Sequence, residues 1–466
     1  MKPLVFATSS LAIVALCVGC QTAAPVRAHS YNRIKAELDT VAVIDTHDHL
    51  WPFETLPIFA ETDKGWGANL AGVWRNSYYA WSSPLTPYAP KQPFSQWWAE
   101  ARDDFDDSRA MSFYRYMLPA FEDLYGVDFN RMTGEQAQAL DDRIFENYKD
   151  QRWLYHVVTE RANIELMFND PYWARLKFET YYPFEVLVFN VTTLTRGFNP
   201  SEYNNPNDSP FAFAKEEGLP AKTVDDYLAI LDRLFEKAKE AGAVCLKTTI
   251  AYERSLQFEN VPRETADAIF GKVRSELTPE QVRAFEDFVM WRLVELSAKY
   301  ELPFQIHTGD ARIQGSNPML LVDLIQKNPK TKFILFHGGY PWIGETGVIL
   351  MRHGSHVWVD SCWLPTISYT MAKRAYQEWL DVMPSDRIMF GADTGSAEGV
   401  YGAVEFGRRC IAEALSEKVD RGELTEEQAV RIGRQILRDN ALKLFPQLES
   451  RLWKHNGPLT PPPPAR

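Results

Sequence analysis

The chain is long, rich in apolar residues and acidic. It has 466 residues, of which 45% are hydrophobic and 13% aromatic, so it can bury a sizeable core in one large domain or two ordinary ones. Its formal net charge is −12 at pH 7, and no block of lysine and arginine stands out. This balance argues against DNA or RNA as the main partner.

The first twenty residues, MKPLVFATSSLAIVALCVGC, have the features of a bacterial export signal. Lys2 precedes a short apolar run that ends in small residues at Cys20. This pattern predicts lipoprotein processing with Cys20 as the acylated N-terminus, although Cys17 stands where such sites usually carry leucine. Ordinary signal cleavage and an uncleaved anchor are the alternatives. We therefore expect an exported protein, lipid-anchored in the bacterial cell envelope on the periplasmic or outer-membrane face.

After a linker and a predicted helix (residues 21–40), eight short apolar runs recur along the chain. They are rich in Val, Ile, Leu and Phe with little polar alternation, as in strands buried on both faces of a parallel sheet. The runs are VAVID (41–45), IELMF (164–168), FEVLVFN (184–190), AVCLK (243–247), LPFQIH (302–307), KFILFH (332–337), HVWVD (356–360) and RIMFGAD (387–393).

Amphipathic helices are predicted between most of these runs. Residues 223–242 begin at a capping threonine, Thr223, and residues 278–300 begin at Thr278. The alternation predicts an α/β fold, a (β/α)8 TIM barrel, over residues 41–446, with a doubly wound open sheet as the alternative. Only the segment between the second and third runs is too short for a full helix.

Two segments lie outside the repeat. Residues 51–160 form a long insertion after the first strand, predicted to be helical and rich in aromatic residues, with six of the 14 tryptophans between Trp51 and Trp98. We expect most of these tryptophans to build a small satellite core or a homo-oligomer contact rather than a lid. Residues 447–466 end in the proline-rich GPLTPPPPAR, which is predicted to be disordered.

Potential metal ligands stand where the runs end. His47 and His49 share a direction because alternate residues of a strand point the same way. His307, His337 and Asp393 end the fifth, sixth and eighth runs, and the strand ends of a barrel meet at one face. The set predicts a site for Zn²⁺ or another divalent ion such as Mn²⁺ or Fe²⁺. Taken singly, each could instead be a structural histidine or a loop-capping aspartate.

Five segments, DTHDH, QIHTGD, ILFHGGYP, FGADTG and LRDNALKLF, resemble the metal-dependent amidohydrolase superfamily in the order that family has them. The likeness is to its amidohydrolase-related (amidohydrolase 2) branch, which includes decarboxylases and a domain fused to glutamine synthetase-like proteins. LKTTIAYERSL is similar to a fourth-strand segment of that branch. The resemblance extends over residues 41–446 apart from the insertion, and it implies the barrel fold and metal chemistry while leaving the substrate open.

The resemblance also implies roles for single residues. His47 and His49 bind the metal, His307 is the fifth-strand ligand, and Asp393 is a further ligand or proton carrier. His337 binds a second ion or polarises the substrate carbonyl.

Lys247, at the end of the fourth run, is the ambiguous residue. It either carries a carboxylate formed with CO₂ and bridges two ions, or stays a plain ammonium that binds an acidic group, and we favour the plain form. The resemblance thus admits one ion or two.

The chemistry expected of these groups is metal-assisted hydrolysis of an amide, lactone or ester bond in a small molecule, carboxylate-bearing ones included. A divalent ion lowers the pKa of its bound water from 15.7 to about 7. Asp393 is then expected to take a proton and deliver it to the leaving group, and His337 to stabilise the oxyanion.

Four residues are predicted to contact substrate. Arg254 and Arg312 follow the fourth and fifth strands and could grip a carboxylate bidentately, with plain surface arginines as the alternative. Tyr340 and Trp342 are expected at the rim of the same mouth.

Two other readings of the function remain open. A decarboxylase or sugar-acid isomerase could use the same metal shell. A non-catalytic ligand-binding lipoprotein is the alternative from outside the enzymes. Cys245 and Cys362, within or beside apolar runs, are predicted to be small buried residues rather than disulfide partners.

Overall fold

The computed structural model describes residues 27–454. The predicted export signal with its lipidation site Cys20 and the proline-rich end of the tail lie outside the described residues, so export and lipidation stay predictions. Within residues 27–454, no helix combines the length and apolar character needed to cross a bilayer.

Eight parallel strands pair in chain order and form the predicted TIM barrel, which excludes the doubly wound alternative. Every residue of these strands is buried, which explains runs that are apolar on both faces. The strands are β1 (Val43–Asp48), β2 (Ile164–Asn169), β3 (Glu185–Asn190), β4 (Cys245–Thr248), β5 (Phe304–His307), β6 (Phe333–Phe336), β7 (Val357–Asp360) and β8 (Ile388–Met389).

Helices flank the barrel and fill most of the insertion. One precedes β1 and seven lie in the insertion: α1 (Arg27–Asp39), α2 (Leu70–Arg75), α3 (Tyr79–Ser82), α4 (Phe94–Ala101), α5 (Ser112–Arg115), α6 (Leu118–Tyr125), α7 (Gly134–Asn147) and α8 (Arg152–Tyr155). The rest follow β3: α9 (Pro210–Glu217), α10 (Val224–Glu240), α11 (Arg263–Ile269), α12 (Pro279–Tyr300), α13 (Val322–Lys327), α14 (Ile343–His353), α15 (Leu364–Ile367), α16 (Tyr369–Val382), α17 (Ala397–Asp420), α18 (Glu426–Arg434) and α19 (Asn440–Leu444).

Local sequence signals account for the two best-defined helices. Thr223 caps α10 and Thr278 caps α12, each through a capping box in which side chain and backbone bond reciprocally. No α-helix connects β2 to β3, as the short spacing predicted.

The insertion has its own core and docks on the barrel. Trp74 and Trp97 are fully buried in it, as expected, whereas Trp81 is 67% exposed. Besides its helices it contains an antiparallel hairpin that the sequence did not reveal, formed by Phe59–Thr62 and Gly65–Ala68.

A buried carboxylate joins the insertion to the barrel. Glu398, in the first turn of α17, accepts hydrogen bonds at 2.6 Å from the hydroxyls of Tyr125 and Tyr148 and at 3.3 Å from Trp153 Nε1. Because a buried charge needs partners, these three insertion residues fix the insertion above α17.

The first and last strands meet at a seam, which closes the barrel. The Thr46 amide donates to the Phe390 carbonyl at 3.2 Å, and the Asp393 amide donates to the His47 carbonyl at 2.9 Å. The seam thus extends past the end of β8 into the loop that follows it.

Two aspartates of β1 complete the seam through their side chains. Asp45 Oδ1 accepts the Ala392 amide at 3.0 Å, and Asp48 Oδ1 accepts the amides of His49 and Thr394 at 3.0 and 2.6 Å. The DTHDH motif therefore holds the barrel closed with its aspartates while its histidines face the mouth.

A glutamate at the opposite end of the barrel gives a test of stability. Glu185 is fully buried, its Oε2 accepts the Tyr181 and Tyr182 amides, its Oε1 has no hydrogen-bond partner within residues 27–454, and burial raises its pKa to about 8. The pKa of Glu185 is higher in the folded chain than in the unfolded one. The stability that protonated Glu185 contributes is therefore fully present below about pH 4.5 and is lost as the pH rises to about 8. Glu185→Gln mimics the protonated acid and cannot ionise. Above pH 8 it should therefore raise the free energy of unfolding by about 1.4 kcal/mol for each unit by which folding raises the pKa of Glu185.

Urea unfolding of both proteins across the pH range measures this difference. We expect the two curves to coincide near pH 4, to diverge as the pH rises from about 4.5 to about 8, and to run parallel above that. A constant difference at every pH would contradict the assigned protonation of Glu185.

Candidate active site

A cavity of about 510 Å³ lies at the carboxyl ends of the barrel strands, partly covered by the insertion. Its floor consists of the predicted metal and catalytic residues: His47, His49, Lys247, His307, His337 and Asp393. Aromatic side chains dominate its walls: Trp51, Tyr78, Trp81, Tyr172, Tyr252 and Trp363. The location is the one that barrel enzymes use for catalysis.

His47, His49 and Asp393 form a group with metal-ligand geometry, in which one ligand atom from each lies within 4.8 Å of the others. Asp393 Oδ1 lies 3.1 Å from His49 Nε2 and 3.8 Å from His47 Nε2. His49 Nδ1 donates to the Asp170 carbonyl at 3.1 Å, which fixes the ring and points Nε2 into the group. Such a second bond is typical of metal-binding histidines.

The protonation of this group fits a bound cation. Burial lowers the pKa of His49, but the hydrogen bond and the charge of Asp393 outweigh burial and raise this pKa above its usual value, as expected where an anionic ligand faces a cation site. Burial would raise the pKa of Asp393, but the bond from His49 and the nearby histidines hold it well below its ordinary value. Burial lowers the pKa of His47, whose Nδ1 has no hydrogen-bond partner within residues 27–454. Neutral imidazoles and an ionised carboxylate are the forms that bind Zn²⁺.

His337 borders the second oxygen of the same aspartate. Its Nδ1 lies 3.7 Å from Asp393 Oδ2 and 3.0 Å from the carbonyl oxygen of Cys362. The two oxygens of Asp393 therefore face different histidines: Oδ1 faces the pair from β1, and Oδ2 faces His337.

His307 lies on the cavity floor but outside both groups with metal-ligand geometry in the described chain. Its Nε2 donates to the Asp310 carbonyl at 2.9 Å, and its ring centroid lies 4.2 Å from that of His337, with the two rings tilted by 58°. Burial, with the nearby Lys247, lowers its pKa to about 3. His307 thus lies at the mouth, as the sequence predicted, but its side chain is not among the atoms that could bind an ion together with His47 and His49.

Lys247 reaches the cavity floor without an anionic partner. Its Nζ is buried, has no hydrogen-bond partner in the described range, and lies 3.8 Å from the ring centroid of Phe336. Burial lowers its pKa. A lone amine in this position is available to a ligand, and its carboxylation stays a prediction.

Three residues of the site adopt a left-handed backbone. His337 has φ of 61°, Trp363 of 65° and Asp393 of 58°, a region that residues other than glycine rarely occupy. Each costs of order 1–3 kcal/mol and persists because the surroundings enforce it. The strain falls at the ends of β6, β7 and β8, where it turns the side chains into the mouth.

The two predicted substrate arginines do not reach the cavity formed by residues 27–454. Arg254 is held by Glu286 at 3.0 Å and Asp287 at 2.5 Å, both in α12. Arg312 is exposed and donates to the carbonyl oxygen of Tyr252 at 3.1 Å. Both follow the strands that the sequence indicated, but ion pairing turns Arg254 towards α12 and loop direction turns Arg312 towards solvent, so neither lines the cavity.

Tyr340 and Trp342 also lie outside the cavity wall in the described chain. The segment after His337 turns sharply through two glycines with positive φ, Gly338 and Gly339, and runs outward into α14. This turn separates the two aromatic residues from the mouth.

Other cavity residues were missed. Asp170 directly follows β2, so the strand-end rule could have found it, and Asn190 at the end of β3 donates to both of its carboxylate oxygens at 3.0 Å. Arg175 in the next loop and Arg75 in the insertion also line the cavity. Nothing in the sequence distinguished these arginines from surface residues.

Comparisons with known proteins agree with this architecture. Residues 218–447 match the family model described as amidohydrolase. A stretch of 149 residues is 29% identical to protein fluG of Emericella nidulans, covering 31% of this chain and only 17% of that much longer relative.

Solved structures share the barrel. Glucuronate isomerase of Caulobacter crescentus has a TM-score of 0.69 at 15% identity, covering 91% of this chain and 95% of the isomerase. Uronate isomerase of Thermotoga maritima has a TM-score of 0.67 at 15% identity, covering 90% and 97%. A Lactobacillus casei protein described as a metal-dependent hydrolase has a TM-score of 0.62 at 17% identity, covering 90% and 98%.

At these identities the likeness to solved structures establishes the fold. The family model adds the sequence features of β4 to β8 and their loops. Together they show that residues 218–447 match the amidohydrolase family model and that the described chain shares its barrel fold with a metal-dependent hydrolase and two uronate isomerases.

Proposed function

We propose that this protein hydrolyses an amide, lactone or ester bond in a small anionic molecule with the help of a divalent metal ion. The observation that carries this proposal is the position of Asp393. Its carboxylate lies between the histidine pair of β1 and His337, on the floor of a cavity large enough for a small substrate.

The side chains on the cavity floor have different roles in this reaction. His47, His49 and Asp393 would hold the ion, which supplies Lewis acidity and lowers the pKa of water towards neutrality. Asp393 is also placed to accept a proton at Oδ2 and return it to the leaving group, because its Oδ1 is the atom directed at the histidine pair.

The second side of the floor suits the carbonyl oxygen of the substrate. Both His337 and Lys247 line it; the Nζ of Lys247, which has no hydrogen-bond partner within residues 27–454, can donate to an oxygen that gains negative charge, whereas the N–H of neutral His337 is already given to the Cys362 carbonyl. Trp363, nearly fully buried beside His337, excludes water from that side and strengthens this bond.

Two arginines support an anionic substrate. Arg175 lines the cavity, with Nη1 bound to Asp208 at 2.9 Å and a buried Nε that has no partner in residues 27–454. Arg75, from the end of α2, is exposed at the same mouth. Guanidinium groups in this position match a carboxylate or phosphate on the part of the substrate away from the metal.

Isomerisation of a sugar acid is the second candidate. Two structures with the same barrel are uronate isomerases, and each aligns over at least 95% of its own length. The same arginines would hold a uronate carboxylate, and Asp393 would move a proton between adjacent carbons. We place this second because the likeness to the uronate isomerases is one of fold at 15% identity, whereas residues 218–447 match the amidohydrolase family model in sequence.

Product analysis separates the candidates. Metal-loaded protein would be incubated with a panel of anionic amides, lactones and esters and with free uronates. Mass spectrometry detects hydrolysis as the gain of one water, decarboxylation as the loss of CO₂, and isomerisation as a new isobaric species. Turnover of uronates alone, with no change of mass, would replace hydrolysis by isomerisation; no turnover of any compound would favour a ligand-binding protein.

The anionic subsite predicts a selective change in KM. Arg175→Gln should raise KM for an anionic substrate about 10- to 100-fold, the effect of losing a charged hydrogen bond, with kcat little changed. The neutral methyl ester of the same substrate should show no such change. Arg233→Gln, which removes an arginine with similar ion pairs on α10, is the matched control. Equal KM values for wild type and Arg175→Gln would remove Arg175 from the substrate site.

A further inference from the structure

We propose that Cys362 is a thiolate ligand to a second metal ion, which it binds together with His337 and Asp393. This inference rests on the proposed function, because Asp393 also serves the ion held by His47 and His49; with the second ion bound, Asp393 Oδ2 is a ligand, and the proton-acceptor role given to it above belongs to the form with one ion. It differs from a bridge through carboxylated Lys247, since here the Asp393 carboxylate joins the two ions and Lys247 keeps a free amine.

The three side chains already form a compact buried group. One ligand atom from each of His337, Cys362 and Asp393 lies within 4.8 Å of the others, and none of the three is more than 5% exposed. Among residues 27–454 only one other group has this geometry, and it is the group of His47, His49 and Asp393. Two candidate sites thus share one carboxylate.

The orientation of Asp393 assigns one oxygen to each site. Oδ1 is directed at His49 and His47, while Oδ2 is 3.7 Å from His337 Nδ1. A carboxylate that bridges two ions presents its oxygens in this way.

Backbone contacts keep the thiol at the barrel mouth. Cys362 follows β7, and its amide donates to Asp360 Oδ1 at 2.9 Å, which fixes the turn. Gly391, just beyond β8, allows the neighbouring loop to approach, because a Cβ there would lie 3.1 Å from Cys362 Sγ. The thiol therefore lies close to the loop that carries Asp393.

Coordination chemistry determines which ion fits. A thiolate with imidazole and carboxylate selects Zn²⁺, Co²⁺ or Cd²⁺ over Mg²⁺ or Mn²⁺. Bond lengths of about 2.0–2.3 Å bring tetrahedral ligand atoms to roughly 3.3–3.7 Å from one another, so the group must contract slightly on binding. The thiol proton leaves to solvent as the metal–sulfur bond forms. If His337 binds through Nδ1, that bond replaces its hydrogen bond to the Cys362 carbonyl.

The other two described cysteines lack this setting and serve as matched controls. Cys245 is buried in β4, and Cys410 donates from Sγ to the Tyr369 carbonyl at 3.7 Å. Neither belongs to a group with metal-ligand geometry in the part of the chain that the structure describes.

Cobalt loading of the full-length protein tests the proposal. We expect two Co²⁺ per chain and a thiolate-to-cobalt charge-transfer band in the near ultraviolet. Cys362→Ser should lose the band and one of the two ions, whereas Cys245→Ser and Cys410→Ser should retain both. Circular dichroism and thermal melting check that each variant is folded.

X-ray absorption of the cobalt-loaded wild type gives a readout that needs no variant, and it should show one sulfur ligand at about 2.3 Å. One bound ion without a sulfur ligand, or a band that survives in Cys362→Ser, would overturn the thiolate site and leave the proposed hydrolase intact. Failure to bind any Co²⁺ or Zn²⁺ would instead remove the proposed function together with this inference.

Discussion

Replacing Asp393 by asparagine is expected to lower kcat/KM by about 10⁴-fold, the upper range for loss of a general base, while leaving the protein folded. The carboxylate is both the proton acceptor at Oδ2 and the only anionic ligand in the His47–His49 group. Asparagine keeps the shape of the side chain but can neither take a proton nor offer a negative charge to an ion. Steady-state kinetics and metal content per chain should therefore fall together.

Asparagine is the right substitution because of the backbone. Asp393 has φ of 58°, which asparagine tolerates better than alanine or any branched residue. The hydrogen bond from the backbone amide of residue 393 to the His47 carbonyl is retained in the variant. Asp141→Asn is the matched control, since Asp141 is also buried but lies in α7 of the insertion, where it binds Lys64 and the Leu70 amide. Activity of Asp393→Asn within tenfold of wild type would contradict its role as base and ligand.

Removing the metal is expected to lower the stability of the barrel. His47 lies in the first strand, His49 directly after it and Asp393 in the loop after the last strand, so an ion between them bridges the seam. An ion that binds only the folded state stabilises it by about 2.7 kcal/mol at a free concentration 100 times its Kd. Thermal melting of chelator-treated protein, before and after titration with Zn²⁺, should show a Tm that rises with metal concentration.

The dependence on metal should be specific to the site. It should disappear in the double variant His47→Gln/His49→Gln and persist in His356→Gln, because His356 lies outside the site and contacts the Ile325 carbonyl. A Tm that is insensitive to Zn²⁺ in the wild type, or equally sensitive in the double variant, would show that the ion does not bind across the seam.

The fold was predictable because the barrel strands are buried on both faces. Such strands must be apolar at nearly every position, so runs such as 332–337 and 356–360 stand out without an alignment. The site residues followed from the same fact, because His47, His337 and Asp393 stand where those runs end and the strand ends of a barrel converge.

Side-chain direction was not predictable at the same positions. Arg254 lies after the correct strand, but two acids of α12 that are more than thirty positions away determine where it points. The Nε2 of His307 likewise donates a hydrogen bond to the carbonyl oxygen of Asp310. The position of His307 at the end of a strand does not reveal this contact. Arg175 lies in a loop with no periodic signal, so only the folded chain brings it to the cavity.

The seam has a consequence for how the protein is made. Asp48 and Thr394, which form a hydrogen bond across it, are 346 positions apart in the chain. The candidate metal ligands His47 and Asp393 are likewise separated by almost the whole length of the barrel sequence. A chain still emerging from the ribosome therefore has the first two histidines but no site until the eighth strand has been synthesised and docked. A precursor that crosses a membrane unfolded would carry no ion with it, and it would take its metal from the compartment in which the barrel closes.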